Sequence, residues 1–166
     1  NVNFTKYNII YQGIFDGNHK TIRGLYRKNP GYDNQGGLIG YIGRSGALKN
    51  LTIEKSYATA CAVFAGFNNG SVTNCTAGRL RTKYCGHGGA VFVYKNYGIM
   101  DDCVNTADVE WIDKQRENCF GIVDMNYGIV KNCVNRGAIN NTGGRISGDV
   151  GGICDWNKGK ILNCYN

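Results

Sequence analysis

The chain has 166 residues, of which 42% are hydrophobic and 19% charged, a balance typical of one folded domain. Gly supplies 25 residues and Pro only one, which excludes a collagen-like or proline-rich chain and disfavours a helical bundle. The net charge of +7 favours acidic partners. No basic helix or run of like charges indicates nucleic acid, and no apolar stretch of about 18 residues could insert into a membrane.

A short motif recurs along the chain after a divergent first unit at 14–25. It reads Gly, any residue, an apolar residue, any residue, Asn or Asp, then Cys or Leu. The copies occupy 46–51, 70–75, 98–103, 128–133 and 159–164. In the last four copies an Asn lies two residues before the glycine. These residues are Asn68, Asn96, Asn126 and Asn157. We count about six units in all.

The repeat predicts the architecture. Short strands separated by Asn and Gly turns are too small to bury a face alone, but coils stacked about 4.8 Å apart can pair their strands in parallel. The sequence therefore predicts an all-β fold, a right-handed parallel β-helix (solenoid) of about six coils. The unequal spacing of the copies predicts loop insertions at 52–60, 76–88, 104–118 and 134–149.

Residues 1–166 are predicted to form a single β-helix repeat domain. The chain begins without Met and stops directly after a repeat motif. An uncapped repeat array exposes its core and its strand edges. We therefore expect a fragment of a longer multidomain protein whose other domains are partners of this one.

The segments FDGNHKTIRGL and GGLIG, with the motif N-x-G-x-[IV]-x-N-C, resemble the GLUG repeats of secreted and surface bacterial proteins. The resemblance extends from Ile14 to Cys164. It implies a β-helical region of the kind found beside adhesin-like regions and in immunoglobulin-A-cleaving peptidases, located outside the cell or on its surface. It implies no activity, because the motif residues are corner and core residues. The third copy departs from the motif with Asp102 in place of Asn.

Four of the eight cysteines share one repeat column with Leu51. They are Cys75, Cys103, Cys133 and Cys164. A column that exchanges Cys for Leu predicts a buried ladder of thiols. Disulfide pairing is the alternative, since adjacent coils bring the Cα atoms within bonding range. We predict no metal and no cofactor, because Cys85 and His87 alone are two ligands short of a structural zinc site.

Carboxylates are the candidates for catalysis, since β-helices also carry polysaccharide lyases and hydrolases. Asp124 and Asp155 occupy one column on consecutive copies, where they could act as paired acids or calcium ligands. The alternative is a solvated column near a turn. We assign no catalytic residue.

Aromatic and basic side chains are the candidates for binding. Tyr97 and Tyr127 share one column and Trp156 belongs to another, so stacked coils would form a strip suited to sugar rings. Arg79, Arg81 and Lys83 alternate, so a regular strand would point all three the same way toward an anion. For each set the alternative is a core or solvated face.

Two functions from different classes follow. The first is a non-catalytic extracellular module of a bacterial surface or secreted protein, acting in adhesion, in binding of a glycan or host glycoprotein, or as a stalk. The second is a polysaccharide lyase or glycoside hydrolase built on a β-helix. The absence of a convergent catalytic set favours the first.

Overall fold

The computed structural model describes residues 10–27, 36–58, 62–82, 89–111, 119–141 and 150–166. This part of the chain is all-β and contains no helix. In chain order the strands are β1 (Ile14–Arg23), β2 (Tyr26–Arg27), β3 (Ile39–Ile42), β4 (Ala47–Ala58), β5 (Ala65–Asn68), β6 (Ser71–Thr82), β7 (Gly89–Ala90), β8 (Val93–Asn96), β9 (Ile99–Asp101), β10 (Val104–Asn105), β11 (Val109–Trp111), β12 (Cys119–Phe120), β13 (Val123–Asn126), β14 (Ile129–Lys131), β15 (Val134–Asn135), β16 (Ile139–Asn141), β17 (Val150–Gly151), β18 (Cys154–Asn157) and β19 (Lys160–Leu162).

These strands stack as a parallel β-solenoid, which confirms the predicted class. The largest sheet follows the order β1-β4-β6-β9-β14-β19, and a second follows β18-β13-β8-β5-β3. A third, smaller sheet has the order β17-β12-β7. The paired strands of each sheet are parallel, so each strand lies on its counterpart from the neighbouring unit.

The prediction of about six coils is wrong. Only 89–111, 119–141 and 150–166 have strands in all three of these sheets among the described residues, which makes about three complete turns. The earlier units contribute described strands to one or two sheets. The motif specifies one strand and its corner, whereas the rest of a turn depends on segments of variable length.

The predicted insertions are also partly wrong. Residues 52–58 and 76–82 continue β4 and β6, which pair in register from Ala47↔Ser71 to Ala58↔Thr82. Short strands β10, β11, β15 and β16 likewise occupy part of the third and fourth predicted loops. Residues 106–108 and 136–138 connect these short strands, and the remaining residues of the four predictions lie outside the described ranges.

Columns of equivalent apolar residues form the core. Leu48, Val72, Met100 and Val130 pair in sequence across four strands and are completely buried. Phe64 and Phe92 stack with ring centroids 4.5 Å apart. Since each residue packs on its equivalent in the next unit, a small repeat builds a continuous core.

The repeat Asn or Asp before each Cys or Leu forms a corner. It adopts a left-handed backbone, which Asn and Asp tolerate better than most residues. The column consists of Asn50 (φ 53), Asn74 (φ 49), Asp102 (φ 53), Asn132 (φ 52) and Asn163 (φ 51). Asn74 Nδ2 donates to Asn50 Oδ1 at 2.7 Å, so side chains also join neighbouring corners. The conformation explains why Asp102 can replace Asn.

Candidate functional site

Aromatic side chains occupy three of the five positions in one column of the five-stranded sheet. The register places Tyr41, Phe67, Lys95, Met125 and Trp156 in one column. Tyr41 and Phe67 lie 6.0 Å apart between ring centroids, and Trp156 is 49% exposed. Lys158 Nζ lies 4.7 Å from the Trp156 ring centroid, a cation–π distance.

Tyr97 and Tyr127 stack at the adjacent corner. Their ring centroids are 4.8 Å apart and their planes differ by 7°. Tyr97 is 36% exposed. We call the column Tyr41, Phe67, Lys95, Met125 and Trp156, together with Tyr97 and Tyr127, the aromatic strip. The predicted stacking of Tyr97 on Tyr127 is present in the structure, and Trp156 belongs to the neighbouring column.

The polypeptide holds the two tyrosines in equivalent positions. Tyr97 N donates to Asn68 O and Tyr127 N to Asn96 O, both at 2.7 Å. The next residue is glycine each time, because a Cβ on Gly98 or Gly128 would collide with the backbone of the preceding unit. The repeat sequence thus fixes the spacing of the rings.

The phenols of Tyr97 and Tyr41 in the strip are neutral at physiological pH. Burial raises the pKa of the Tyr97 phenol, and the phenols of Tyr127 and Tyr41 add to the shift. Burial also raises the pKa of Tyr41, whose hydroxyl accepts a hydrogen bond from Asn69 Nδ2. Neutral phenols can donate hydrogen bonds to a hydroxylated ligand.

A ladder of asparagines, buried at Asn68, Asn96 and Asn126, supports this corner from inside. Asn68 donates to Asn96 Oδ1 at 2.8 Å, Asn96 to Asn126 Oδ1 at 2.9 Å, and Asn126 to Asn157 Oδ1 at 2.8 Å. The Oδ1 of Asn68, Asn126 and Asn157 also accepts from the backbone N–H two residues on. This contact explains the Asn-x-Gly spacing of the repeat.

The structure contains a second asparagine ladder that the sequence analysis missed. Asn105 donates to Asn135 Oδ1, and Asn135 to Asn166 Oδ1, each at 2.7 Å. Asn105 and Asn135 are buried. The recurring Cys-x-Asn at 103–105, 133–135 and 164–166 was the available signal.

The cysteine column lies in the core as free thiols. Cys75, Cys103 and Cys133 are completely buried, and Cys164 is partly exposed. Each of the four donates to the backbone oxygen two residues earlier. Contacts with the thiols of Cys133 and Cys75, and then burial, raise the pKa of Cys103. Cys85 and His87 lie outside the described residues.

Of the two aspartates predicted to share a column, Asp124 and Asp155, Asp124 has a strongly raised pKa. Asp124 is 1% exposed, and its Oδ2 has no hydrogen-bond partner. Burial, followed by the charge of Asp155, raises the pKa of Asp124 to about 7, against an opposing effect of Lys95. At neutral pH this carboxyl can therefore both accept and release a proton.

Arg79, Arg81 and Lys83 were predicted to point the same way on a regular strand, but the strand is not regular at Arg79. Arg79 is exposed and has a left-handed backbone (φ 48) inside β6, which interrupts the alternation of the strand. The backbone of Arg81 pairs with Tyr57, and Lys83 lies outside the described residues.

Among the described residues no group of three or more His, Cys, Asp or Glu side chains could hold a metal ion. In the same ranges the structure has no helix able to cross a membrane.

Comparisons with known proteins match a limited part of the chain. No protein-family model matches it, and no solved structure matches it significantly. A stretch of 70 residues, 40% of the chain, is 40% identical to Halomucin from Haloquadratum walsbyi. The chain spans 1% of the length of Halomucin.

Proposed function

We propose that this chain is a non-catalytic, extracellular β-solenoid module of a bacterial surface or secreted protein that binds glycans or host glycoproteins. The stacked pair Tyr97–Tyr127 is the observation that carries this proposal. It presents part of its ring surface to solvent on a scaffold that holds its spacing fixed. Exposed aromatic rings suit the apolar C–H faces of sugars.

The location and the finer architecture belong to the same proposal. The resemblance to GLUG repeats and the partial likeness to Halomucin, a protein named as a mucin, support an extracellular or surface position. A right-handed winding follows from the strong preference of parallel crossover connections for that hand. The other domains of the parent protein would then carry this module toward its ligand.

A glycan array with matched variants tests the binding function. Wild-type protein is expected to bind one class of glycan, and Tyr97→Ala or Tyr127→Ala to weaken binding about tenfold by removing the stacking face. Tyr165→Ala removes a tyrosine that is 68% exposed outside the strip and serves as the control. Equal losses in all three variants would contradict the role of the strip. A folded protein without glycan ligands would instead act as a stalk.

The second candidate is a polysaccharide lyase or glycoside hydrolase. The burial and raised pKa of Asp124 favour it, because a general acid needs a carboxyl that remains partly protonated near neutral pH. Reducing-end and unsaturated-uronide release from the array hits tests it. Product that disappears in Asp124→Asn or Asp155→Asn would make the chain an enzyme, whereas binding without product would leave the first proposal standing.

A further inference from the structure

A surface cleft lies beside β4 and β6. These strands belong to the largest sheet, whereas the aromatic strip follows the five-stranded sheet. The lining of the cleft includes Lys55, Tyr57, Arg79, Thr106 and Asp108. The sequence predicted Arg79 as an anion contact and placed Asp108 among the loop carboxylates of the enzyme alternative, but it did not bring the two together, because the lining comes from three different units.

The cleft holds two cations side by side. Glu54 pairs with Gly78 and Ser56 with Leu80, so Lys55 and Arg79 between them occupy equivalent positions on adjacent strands. Strand spacing places their Cα atoms about 4.8 Å apart. Both residues are exposed, and neither forms an ion pair with a described residue.

Both cations have a backbone conformation that suits glycine better. Lys55 has φ 49 and Arg79 has φ 48, in the left-handed region. The equivalent residue of the preceding unit is Gly24 (φ 72), whose N–H donates to Lys55 O at 3.3 Å. Left-handed non-glycine residues are strained, and such strain concentrates at functional sites. Two successive units thus carry a long basic side chain where glycine would relieve the strain.

An aromatic platform adjoins the cations. Tyr57 lines the cleft and stacks on Tyr26 with ring centroids 5.3 Å apart and planes 13° apart. Tyr26 is 68% exposed. Thr106 and Asp108 are exposed residues of the lining. The Thr106 hydroxyl donates to Ala77 O at 2.9 Å, which leaves its oxygen able to accept, and Asp108 Oδ1 accepts from Ala138 N at 2.9 Å.

We propose that this cleft binds an acidic polysaccharide, with a sugar ring against Tyr57 and a carboxylate or sulfate group between Lys55 and Arg79. Thr106 and Asp108 provide hydrogen-bond partners for sugar hydroxyls. Two cations beside a carboxylate are too few for a phosphodiester chain, which takes its affinity from many neutralised phosphates. The inference rests on the proposed function in one respect, that the ligand is a glycan. It adds a second binding site, separate from the aromatic strip, and specifies that the glycan is negatively charged.

Calorimetric titration with charge-matched variants tests the site. The probes are alginate oligosaccharides for carboxylate, chondroitin sulfate oligosaccharides for sulfate, neutral dextran, and single-stranded DNA. Wild-type protein is expected to bind an acidic glycan more tightly than dextran or DNA. The double variant Lys55→Gln/Arg79→Gln should lose about tenfold or more in affinity, since a charge-assisted hydrogen bond contributes strongly. Lys20→Gln/Lys160→Gln removes the same charge from exposed positions elsewhere and should retain the wild-type value.

Equal losses in the two double variants would reduce the effect to net charge and overturn the site. Preference for DNA, or no binding to either acidic glycan, would overturn it as well. Tyr97→Ala separates the two proposals. If Tyr97→Ala weakens binding on the array while the cleft variants bind like the wild type, the cleft proposal fails and the strip proposal stands. If the cleft variants lose binding while Tyr97→Ala does not, the strip proposal fails and the cleft proposal stands.

A second double variant separates binding from structure. Lys55→Gly/Arg79→Gly should raise the melting temperature, because glycine adopts both left-handed conformations without strain, and it should lose acidic-glycan binding as the glutamine variant does. A lower melting temperature would show that the two side chains serve the fold, and would overturn the inference.

Discussion

At the scale of single residues, the position of an aspartate within the repeat decides whether it forms an exposed corner or is buried with a raised pKa. Asp102 occupies a left-handed corner where Asn is usual and is exposed. Asp124 is buried with an unpartnered oxygen and a pKa near 7. Each residue lies within two positions of a short apolar run, Ile99–Met100 or Ile122–Val123, so the sequence alone does not distinguish their environments.

Asp124 makes stability depend on pH. Its folded pKa, about 7, lies above the ordinary value of 3.8, so the folded state holds the proton more tightly than the unfolded state. The stabilisation from protonation is complete below pH 4 and is lost as the pH rises toward 7. The free energy of unfolding should therefore fall between pH 4 and pH 8 by a few kcal/mol, on the order expected for a shift of this size.

Urea unfolding at pH 5 and pH 8 measures this effect. In Asp124→Asn the free energy of unfolding should differ less between the two pH values, even if the variant is more or less stable than the wild type at both. Asp155→Asn serves as the second variant, because removing the neighbouring charge should move the transition to lower pH. A difference unchanged in Asp124→Asn would assign the pH dependence to another group.

At the scale of the element, each corner depends on side chains that bond from one unit to the next. Asn96 is completely buried, accepts from Asn68, and donates to Asn126, Gly98 O and Ile129 O. A buried donor or acceptor left without a partner costs far more than the net contribution of one hydrogen bond. The ladder thus makes the repeat intolerant of substitution in its middle.

Asn96→Ala should lower the free energy of unfolding by about 3 kcal/mol, since it leaves Asn68 Nδ2 and Asn126 Oδ1 with fewer partners in the interior. Asn157→Ala removes an exposed member of the same ladder, where water can replace the lost contact, and should cost about 1 kcal/mol or less. Denaturant unfolding of both variants compares them. Equal losses would show that burial does not govern the ladder.

At the scale of the whole molecule, the solenoid is held by its columns and not by covalent links among the described residues. Cys75, Cys103, Cys133, Cys154 and Cys164 are free thiols. The three completely buried members are protected by packing, whereas Cys164 lies partly exposed in the last unit. Stability should therefore follow core burial and not redox state.

The ladder thiols should remain reduced and protected. In native protein, peptide-level mass spectrometry after alkylation should find Cys75, Cys103 and Cys133 unmodified, with Cys164 modified faster because it is accessible. Full alkylation in urea is the control. Cystine linking any two of these residues would contradict the free-thiol ladder and favour disulfide pairing.

The sequence by itself determined the all-β class, the parallel stacking and the composition of the columns. The reason is that a short repeat can bury its apolar residues only by stacking equivalent positions, so Tyr97 and Tyr127, or Asn96 and Asn126, become neighbours once the period is known. The motif contains no information about how far the chain travels between copies, and the count of complete turns was wrong for that reason.

Tertiary structure alone decided which residues meet where the units are not equivalent. The cleft joins Lys55 and Arg79, which occupy equivalent positions where β4 and β6 continue beyond the motif, with Asp108 from a third unit, and the local sequences around the three residues do not match. Asp124 is buried because of the residues that surround it in the folded chain, and its residue type alone does not predict that burial. Periodicity fixes contacts between equivalent residues, whereas burial and charge at a site depend on contacts between residues that no period relates.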